Sequence, residues 1–353
     1  MSIHPVAAPT APGTWMGVEP GARLLLVAST GGHLTELAKI AAKLEISVDS
    51  TWVTHDTPQA RSLLARYSDV RFIPYVAPRD VRGILRTIRI VSRIARQEQY
   101  DAAMSTGAGI ALSLARLPRR MRRLYVESVS RVHGPSVTGR ILAWVPRIER
   151  RTQHASWASA RWTHEFTLLD DYGVVSKQRK ADTRDPLSIL VTLGTIKPYR
   201  FDAAVDAVNK LLVPGDRVFW QVGATSGREL PGNVVEALGQ TELRGLAAQC
   251  DVVVCHGGVG TLVDLLDLGI SPVVIPRRAE HGEHVDDHQL EIAEMMTAKG
   301  LATVRYPEDL GREDLHTAAD RVVVSRADLG AEPQEESLDA ELWALLDAER
   351  GVA

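Results

Sequence analysis

Two short glycine-rich turns carry the residues of this chain whose types and spacing could do chemistry. The second turn, GGVGT at residues 257–261, follows an apolar run at residues 252–255 and precedes a helical pattern. Glycines permit positive φ angles and let a ligand approach the backbone, while the free N–H groups and dipole of the next helix favour a phosphate. The turn therefore predicts a phosphate site at Gly257, Gly258, Gly260 and Thr261. A purely structural turn is the alternative, and the glycines alone fit both interpretations equally.

Two polar side chains flank this second turn. Asp264 lies one turn into the predicted helix, where its carboxylate could reach a ribose diol. His256 ends the preceding strand and could hydrogen-bond a diphosphate. A structural histidine with satisfied hydrogen bonds is at least as good an interpretation of His256.

The first turn, STGGH at residues 29–33, also lies between an apolar strand and a helical pattern. His33 at the helix start is placed to act as a general base, because the helix dipole would lower its pKa and favour the neutral imidazole. A helix-capping or structural histidine is the alternative. If Gly31 and Gly32 instead bind a phosphate group of an acceptor, the base lies elsewhere.

Glu127 and Arg131 follow a later predicted strand. Glu127 could orient or deprotonate an acceptor hydroxyl, and Arg131 could pair with an anionic group. The alternative is an ion pair between the two residues across their loop.

Histidines and carboxylates are concentrated in residues 280–288, EHGEHVDDH. Imidazole and carboxylate ligands suit zinc or a similar ion, which makes a metal site one hypothesis. We favour a solvated loop whose last histidine, His288, enters the ligand site, and we therefore expect no metal.

Strands and helices alternate along the chain. Strands are predicted at residues 23–28, 51–54, 70–76, 102–105, 124–127, 188–192, 218–222, 252–255, 272–275 and 301–304. This alternation predicts an α/β fold of two Rossmann-like, doubly wound domains, each with a parallel sheet covered by helices. Ligands of such sheets bind at the carboxyl ends of the strands, so we expect a cleft between the two domains.

Composition shifts suggest the domain boundaries. A Pro-, Ala- and Gly-rich leader at residues 1–22 lacks the pattern of a signal peptide, and the polar stretch SKQRKADTRDPL at residues 176–187 is a natural linker. The predicted domains span residues 23–175 and 188–330. A tail at residues 331–353 contains a helical pattern that could cross back to the first domain.

The overall composition excludes several classes of protein. The 353 residues carry a formal net charge of -3, which argues against a polyanion such as nucleic acid as the partner. Two cysteines, Cys250 and Cys255, fit neither a disulfide framework nor a Cys-x-x-Cys motif, so we expect a cytoplasmic location. No apolar run approaches the roughly 20 residues that span a bilayer.

A basic amphipathic helix is predicted at residues 82–99, RGILRTIRIVSRIARQEQ. Arginines recur at helical spacing among isoleucines, leucine and valine, a pattern typical of helices that lie on an anionic membrane surface. Considered alone, the pattern also fits a helix packed on the core with a solvated arginine face.

The motifs in both halves resemble those of a known family. Residues 192–195 (TLGT), 221–223 (QVG), 251–261 (DVVVCHGGVGT) and 288–289 (HQ) resemble the donor-binding domain of family 28 glycosyltransferases. Residues 29–33 (STGGH), 127–131 (ESVSR) and 136–139 (SVTG) look like the membrane-recruiting subunit of two-component, polyprenol-linked N-acetylglucosamine transferases and their bacterial exopolysaccharide counterparts. Both parts are fused here.

This resemblance implies the GT-B architecture and transfer of a sugar from a UDP donor to a polyprenyl-diphosphate-linked acceptor at the cytoplasmic face of the membrane. It places the pyrophosphate at residues 257–261, the ribose at Asp264, and the donor sugar at His288 and Gln289. Thr195, Gln221 and Gly223 complete the expected donor site, and no cofactor is required. The expected enzyme is a hexosyltransferase of cell-surface polysaccharide synthesis. A UDP-sugar 2-epimerase and a non-catalytic nucleotide-sugar-binding scaffold are the alternatives.

Overall fold

The computed structural model describes residues 15–77, 80–177, 185–195 and 197–326. Its first sheet is parallel and has seven strands in the order β3-β2-β1-β4-β5-β6-β7. These strands are β1 (Leu24–Ala28), β2 (Thr51–His55), β3 (Asp69–Ile73), β4 (Ala102–Gly107), β5 (Arg122–Val126), β6 (Glu149–Thr152) and β7 (Thr163–His164). The helices between them are α1 (Gly32–Lys43), α2 (Pro58–Leu63), α3 (Val81–Gln97), a 3-10 helix (Gly109–Arg116) and α4 (Val137–Leu142).

A short strand, β8 (Tyr172–Ser176), ends the first half, and a second parallel sheet follows. Its order is β11-β10-β9-β12-β13-β14. The strands are β9 (Ser188–Thr192), β10 (Arg217–Gln221), β11 (Asn233–Val235), β12 (Val252–His256), β13 (Val273–Ile275) and β14 (Thr303–Val304). The accompanying helices are α5 (Asp202–Lys210), α6 (Gln240–Ala248), α7 (Val259–Asp267), α8 (His288–Ala298) and α9 (Arg312–Ala319).

Both sheets are covered on both faces, as the apolar strand sequences predict. Alternate residues of β1 enter opposite cores: Leu24 and Leu26 face one cluster, and Leu25 and Val27 face the other. The strands of the second sheet divide between two clusters in the same way. This double burial confirms the predicted α/β class and doubly wound sheets.

The strand order reverses at the same place in each sheet. The first strand of each half (β1 or β9) lies beside the fourth (β4 or β12), so the chain turns away in opposite directions at this point. Ligands of open α/β sheets bind at such switch points, outside the carboxyl ends of the strands. The two glycine-rich turns identified in the sequence follow β1 and β12, at these switch points.

A small antiparallel sheet connects the two halves and was not predicted. β15 (Arg321–Ser325) pairs with β8, which lies almost 150 residues earlier in the chain. The strand predicted at residues 301–304 is present as β14, but it is not the last strand, because β15 follows it. The boundaries at 176–187 and 188–330 stay predictions, since residues 178–184 lie outside the described residues.

Residues at the start of the described chain pack against the first core. Met16 and Val18 are buried within the predicted leader, and the Met16 N–H donates to Glu165 Oε2 at 2.8 Å. Residues 1–14 of that leader and the predicted tail at 331–353 lie outside the described residues. Within the described ranges, no helix is long and apolar enough to cross a membrane, and both cysteines are free thiols.

Candidate active site

The two glycine turns face one another across the contact between the halves. A Cβ atom at Gly260 would lie 3.2 Å from Gly32 Cα, and one at Gly32 would lie 3.3 Å from Gly260 N. Gly31, which precedes α1, has a backbone φ angle of 86°, which residues other than glycine rarely adopt. The first turns of α1 and α7 therefore meet, with N–H groups and positive dipole ends directed towards the same region.

His33 lies in the switch point of the first sheet. Its ring packs against Gly107 at the end of β4, where a Cβ atom would lie 2.6 Å from His33 Cε1. The His33 Nδ1 atom is buried and has no hydrogen-bond partner among the described residues. Burial, together with the nearby charges of His288 and Arg131, lowers the pKa of His33 to about 4. The imidazole is therefore neutral at pH 7, as a general base must be.

Across the cleft from His33, a charged cluster joins the two halves. Arg131 Nη2 donates to Asp286 Oδ2 at 2.7 Å. The other oxygen of Asp286 accepts a short hydrogen bond from His288 Nδ1, and His284 Nδ1 lies 3.6 Å from the same oxygen. Burial opposes ionisation of this carboxylate, but the neighbouring imidazoles and the guanidinium hold the pKa of Asp286 well below its usual range.

The expected alternative pairing of Glu127 with Arg131 is wrong, because Arg131 contacts Asp286 instead. Glu127 is fully buried, and its carboxylate accepts hydrogen bonds from Tyr125 Oη at 3.0 Å and from the Ser136 backbone N–H at 3.0 Å. Burial raises the pKa of Glu127. These contacts shape the loop that ends at α4, and a direct part for Glu127 in proton transfer stays a prediction.

Glu36 is a buried acid near His33 that the sequence analysis missed. It lies one turn after His33 on α1 and accepts hydrogen bonds from Ser128 Oγ at 2.6 Å, Val129 N at 2.9 Å and Gln153 Nε2 at 2.9 Å. Burial raises its pKa to about 7. The sequence did contain a signal for its burial, because Glu36 lies on the apolar face of the predicted helix. Glu36 fixes α1 to the loop that carries Arg131.

His256 is the last residue of β12, at the switch point of the second sheet. Its ring lies between two glycines, because a Cβ atom at Gly194 or Gly258 would lie 2.6 Å or 2.3 Å from His256 Nε2. Burial, followed by the charge of Arg277, lowers the pKa of His256 to about 3. The ring is therefore neutral and packs against the second glycine turn, and its expected contact with a diphosphate stays a prediction.

The remaining predicted donor residues surround this turn. Thr195 is exposed on the loop after β9. Gln221, at the end of β10, accepts a hydrogen bond from Thr192 Oγ1. A Cβ atom at Gly223 would lie 2.0 Å from Gly194 O, so the loop before Thr195 can approach β10 only because residue 223 is glycine.

Asp264 and Gln289 already have protein partners. Asp264 is buried and accepts from Gln240 Nε2 at 2.9 Å and from Arg244 Nη1 at 3.2 Å, and burial raises its pKa. Gln289 Oε1 accepts from Gly257 N and Arg277 N, both at 3.1 Å. Gln289 thus holds the second glycine turn against Arg277, while a ribose at Asp264 would have to share the carboxylate with α6.

Arg277 is a second residue that sequence analysis did not identify as part of the site. Its fully buried guanidinium donates to the carbonyls of Leu193 at 2.7 Å, Glu283 at 2.8 Å and Tyr199 at 3.1 Å. These carbonyls belong to the loops after β9 and β13 and to the segment before α5. Arg277 therefore sets the positions of the loops that border the second turn, although no sequence pattern distinguishes it from a surface arginine.

Comparison with known proteins relates the chain to glycosyltransferases. Residues 188–337 match the glycosyltransferase family 28 C-terminal domain. The chain is 24% identical over 304 residues to the UDP-N-acetylglucosamine--N-acetylmuramyl-(pentapeptide) pyrophosphoryl-undecaprenol N-acetylglucosamine transferase of Xylella fastidiosa strain M12, covering 79% of this chain and 81% of that protein. The transferase of the same name from Burkholderia lata is 26% identical over 326 residues, covering 82% and 84%.

Two solved structures share the fold across both halves. The crystal structure of Acinetobacter baumannii MurG aligns with a TM-score of 0.51 and 19% identity, covering 84% of this chain and 89% of that chain. The glycotransferase of kitacinnamycin aligns with a TM-score of 0.50 and 15% identity, covering 89% and 92%. Residues 188–337 therefore carry a glycosyltransferase family 28 C-terminal domain, and the two facing doubly wound sheets give the chain the GT-B fold.

Proposed function

We propose that this enzyme transfers a hexosyl group from a UDP-sugar to a hydroxyl group of a polyprenyl-diphosphate-linked acceptor in cell-surface polysaccharide synthesis. The observation that carries this proposal is the meeting of two helix N-termini, from the two halves, beside the neutral His33. The relatives are named for a UDP-N-acetylglucosamine donor and a pyrophosphoryl-undecaprenol acceptor, which supports both substrate classes.

The donor is assigned to the second half. Its diphosphate lies at the N-terminus of α7, where the first N–H groups of the helix have no partner within the helix. The ribose lies at Asp264 and the sugar at His288 and Gln289. The uracil lies near Gln221 and Gly223 and is held by backbone contacts.

His33 is assigned as the base. The acceptor oxygen forms a bond to the anomeric carbon while the bond from that carbon to the diphosphate oxygen breaks. The hydroxyl proton passes to a ring nitrogen of His33, and the bonding electrons leave with UDP. Because Nδ1 of His33 is buried and the two turns are in contact, the halves must separate slightly to admit the acceptor.

Membrane docking of the first half would deliver a lipid-linked acceptor. The α3 helix exposes Val81 and Leu85 beside Arg82, Arg86 and Arg89. The α4 helix packs against the same 3-10 helix as α3 and is followed by Trp144, which is 82% exposed. Exposed apolar side chains bordered by arginines suit the interface of an anionic membrane.

Vesicle co-sedimentation tests this docking surface. Replacing Arg86 and Arg89 by glutamate should abolish binding to vesicles that contain an anionic phospholipid, since each basic residue near the surface contributes about 1 kcal/mol. The matched control replaces Arg217 and Arg305, which lie in the second half, by glutamate, and this variant should still bind the vesicles. Equal binding by the α3 variant and the wild type would remove α3 from the proposal.

The central experiment measures donor binding and turnover separately. Calorimetry with UDP, UDP-N-acetylglucosamine, UDP-glucose and UDP-glucuronate should show metal-free binding that Asp264→Ala weakens. His33→Ala should retain this binding but lose transfer to a polyprenyl-diphosphate-linked sugar. Release of UDP without any acceptor would indicate an epimerase, and binding without turnover would indicate a scaffold. Failure of every UDP-sugar to bind would refute the donor site.

A further inference from the structure

Three side chains capable of binding a metal converge in the loop before α8. His284, Asp286 and His288 alternate along the chain, and one nitrogen or oxygen atom from each lies within 4.8 Å of the other two. The two imidazole rings are 4.7 Å apart and nearly perpendicular, at 79°. Two imidazoles and one carboxylate form a ligand set that suits zinc, with a further position for water or a ligand oxygen.

His284 provides an independent indication of a ligand. Its side chain is about nine-tenths buried and stacks on Tyr199, with ring centroids 5.9 Å apart. Its Nδ1 atom is buried and has no hydrogen-bond partner within the part of the chain that the structure describes. The distance of 3.6 Å between His284 Nδ1 and Asp286 Oδ1 is too long for a hydrogen bond. An ion at this point would give this buried nitrogen the partner that it otherwise lacks among the described residues.

Asp286 is held in the orientation that a metal ligand requires. Its Oδ2 atom accepts from Arg131 at 2.7 Å, which leaves Oδ1 directed towards the two imidazoles. Carboxylates that bind metals are commonly hydrogen-bonded in this way by a second group. The positive charge of the Arg131 guanidinium cancels the negative charge of the Asp286 carboxylate, so the pair contributes no net charge that would attract a cation. We therefore expect affinity in the micromolar range, well below that of a structural zinc site.

We propose that His284, Asp286 and His288 bind one zinc-class divalent cation at the cleft between the halves. Bonds of about 2.0–2.2 Å in a tetrahedral site place ligand atoms roughly 3.3 Å apart, close to the His284–Asp286 separation. His288 Nδ1 hydrogen-bonds Asp286, so it must release its proton and separate from the carboxylate when it binds the ion. The bound ion fixes Asp286 against Arg131 and so favours the closed cleft.

The site shares His288 with the proposed donor site, but its test needs neither donor nor acceptor. Tag-free protein is titrated with Zn²⁺ by calorimetry in the absence of sugar nucleotide, and Co²⁺ is added to a second sample for its visible spectrum. We expect one ion per chain and the intense absorption of tetrahedral Co²⁺. His284→Ala should weaken binding at least about tenfold, the range in which even supporting groups of metal sites act.

His281→Ala is the matched control. This histidine lies in the same loop but is exposed, and its ring lies 3.6 Å from Glu280. Its loss should leave ion binding unchanged. His288→Gln, of similar volume, serves as a second ligand variant if His284→Ala does not fold, as judged by circular dichroism. Absence of saturable binding up to millimolar Zn²⁺, or equal weakening by His281→Ala and both ligand variants, would overturn the proposal.

Discussion

The acid limb of the pH profile tests whether His33 is the base in the state that the structure shows. Burial and the charges of His288 and Arg131 lower its pKa to about 4. At pH 5.5 a base with that pKa is about 97% neutral, whereas an ordinary histidine with a pKa of about 6.5 is about 9% neutral. Lowering the pH from 7.5 to 5.5 should therefore leave kcat/KM nearly unchanged, while an ordinary histidine would lose about tenfold.

The assay is the initial rate of UDP release at low donor concentration, since kcat/KM reports the ionisation of the free enzyme. Arg131→Gln removes one of the charges that lower this pKa, so its acid limb should move to higher pH. The limb should stay below 6.5, because burial is the largest cause of the shift. A tenfold fall in wild-type kcat/KM between pH 7.5 and 5.5, with the fold intact, would refute His33 as a buried neutral base.

The fold must be checked across this range, because the same histidines affect stability. The folded pKa values of His33 and His256, about 4 and about 3, lie below their unfolded value. Below about pH 6.5 the unfolded chain takes up protons that the folded chain excludes, so stability falls as the pH falls. Circular dichroism at each pH separates this loss from protonation of the base.

Three further predictions concern contacts that position the site. Gly260→Ala should lower transfer at least about tenfold, because its Cβ atom would meet backbone at Gly32, while Gly245→Ala, at a helical position open to solvent, should leave activity unchanged. Arg277→Lys should cost about 3 kcal/mol in urea unfolding, because lysine cannot satisfy all of the buried carbonyls that Arg277 binds, and a change within 0.5 kcal/mol, about the usual limit for a surface site, would contradict this role. Glu36→Gln should gain stability relative to wild type, by up to about 3 kcal/mol, as the pH rises from 4.5 to 7. The raised pKa keeps the folded carboxyl protonated in this range while the unfolded carboxyl ionises, so the wild type loses stability and the glutamine variant does not. Equal pH dependence of stability in both proteins would refute this.

The sequence predicted the parts of the fold that depend on local patterns. The apolar runs before the two glycine turns are β1 and β12, and each turn begins a helix as expected. The rule that ligands bind at strand carboxyl ends also predicted that the two turns would share one cleft. The pairing of β8 with β15 had no such signal, because the two short strands are almost 150 residues apart and no local pattern specifies which strands pair at that distance.

Side-chain partners across the cleft were the least predictable features. An ion pair of Arg131 with Glu127 in its own loop was one of two interpretations, but the partner of Arg131 is Asp286 of the other half. Local spacing makes the first pairing plausible, whereas the second depends on how the halves meet. Arg277 illustrates the same limit, since its burial follows from the loops after β9 and β13 closing around it and its sequence neighbours are ordinary.

The position of His33 suggests how donor binding could strengthen the base. In the ligand-free structure, burial and two neighbouring positive groups disfavour the imidazolium that proton transfer must create. A diphosphate bound at the start of α7, which meets the start of α1, would bring negative charge near this ring and raise its pKa. The charge that UDP gains on leaving would stabilise the imidazolium further. The acid limb of kcat, which reports the bound enzyme, should therefore lie at higher pH than that of kcat/KM. Coincident limbs would place the diphosphate too far from His33 for the two to act together.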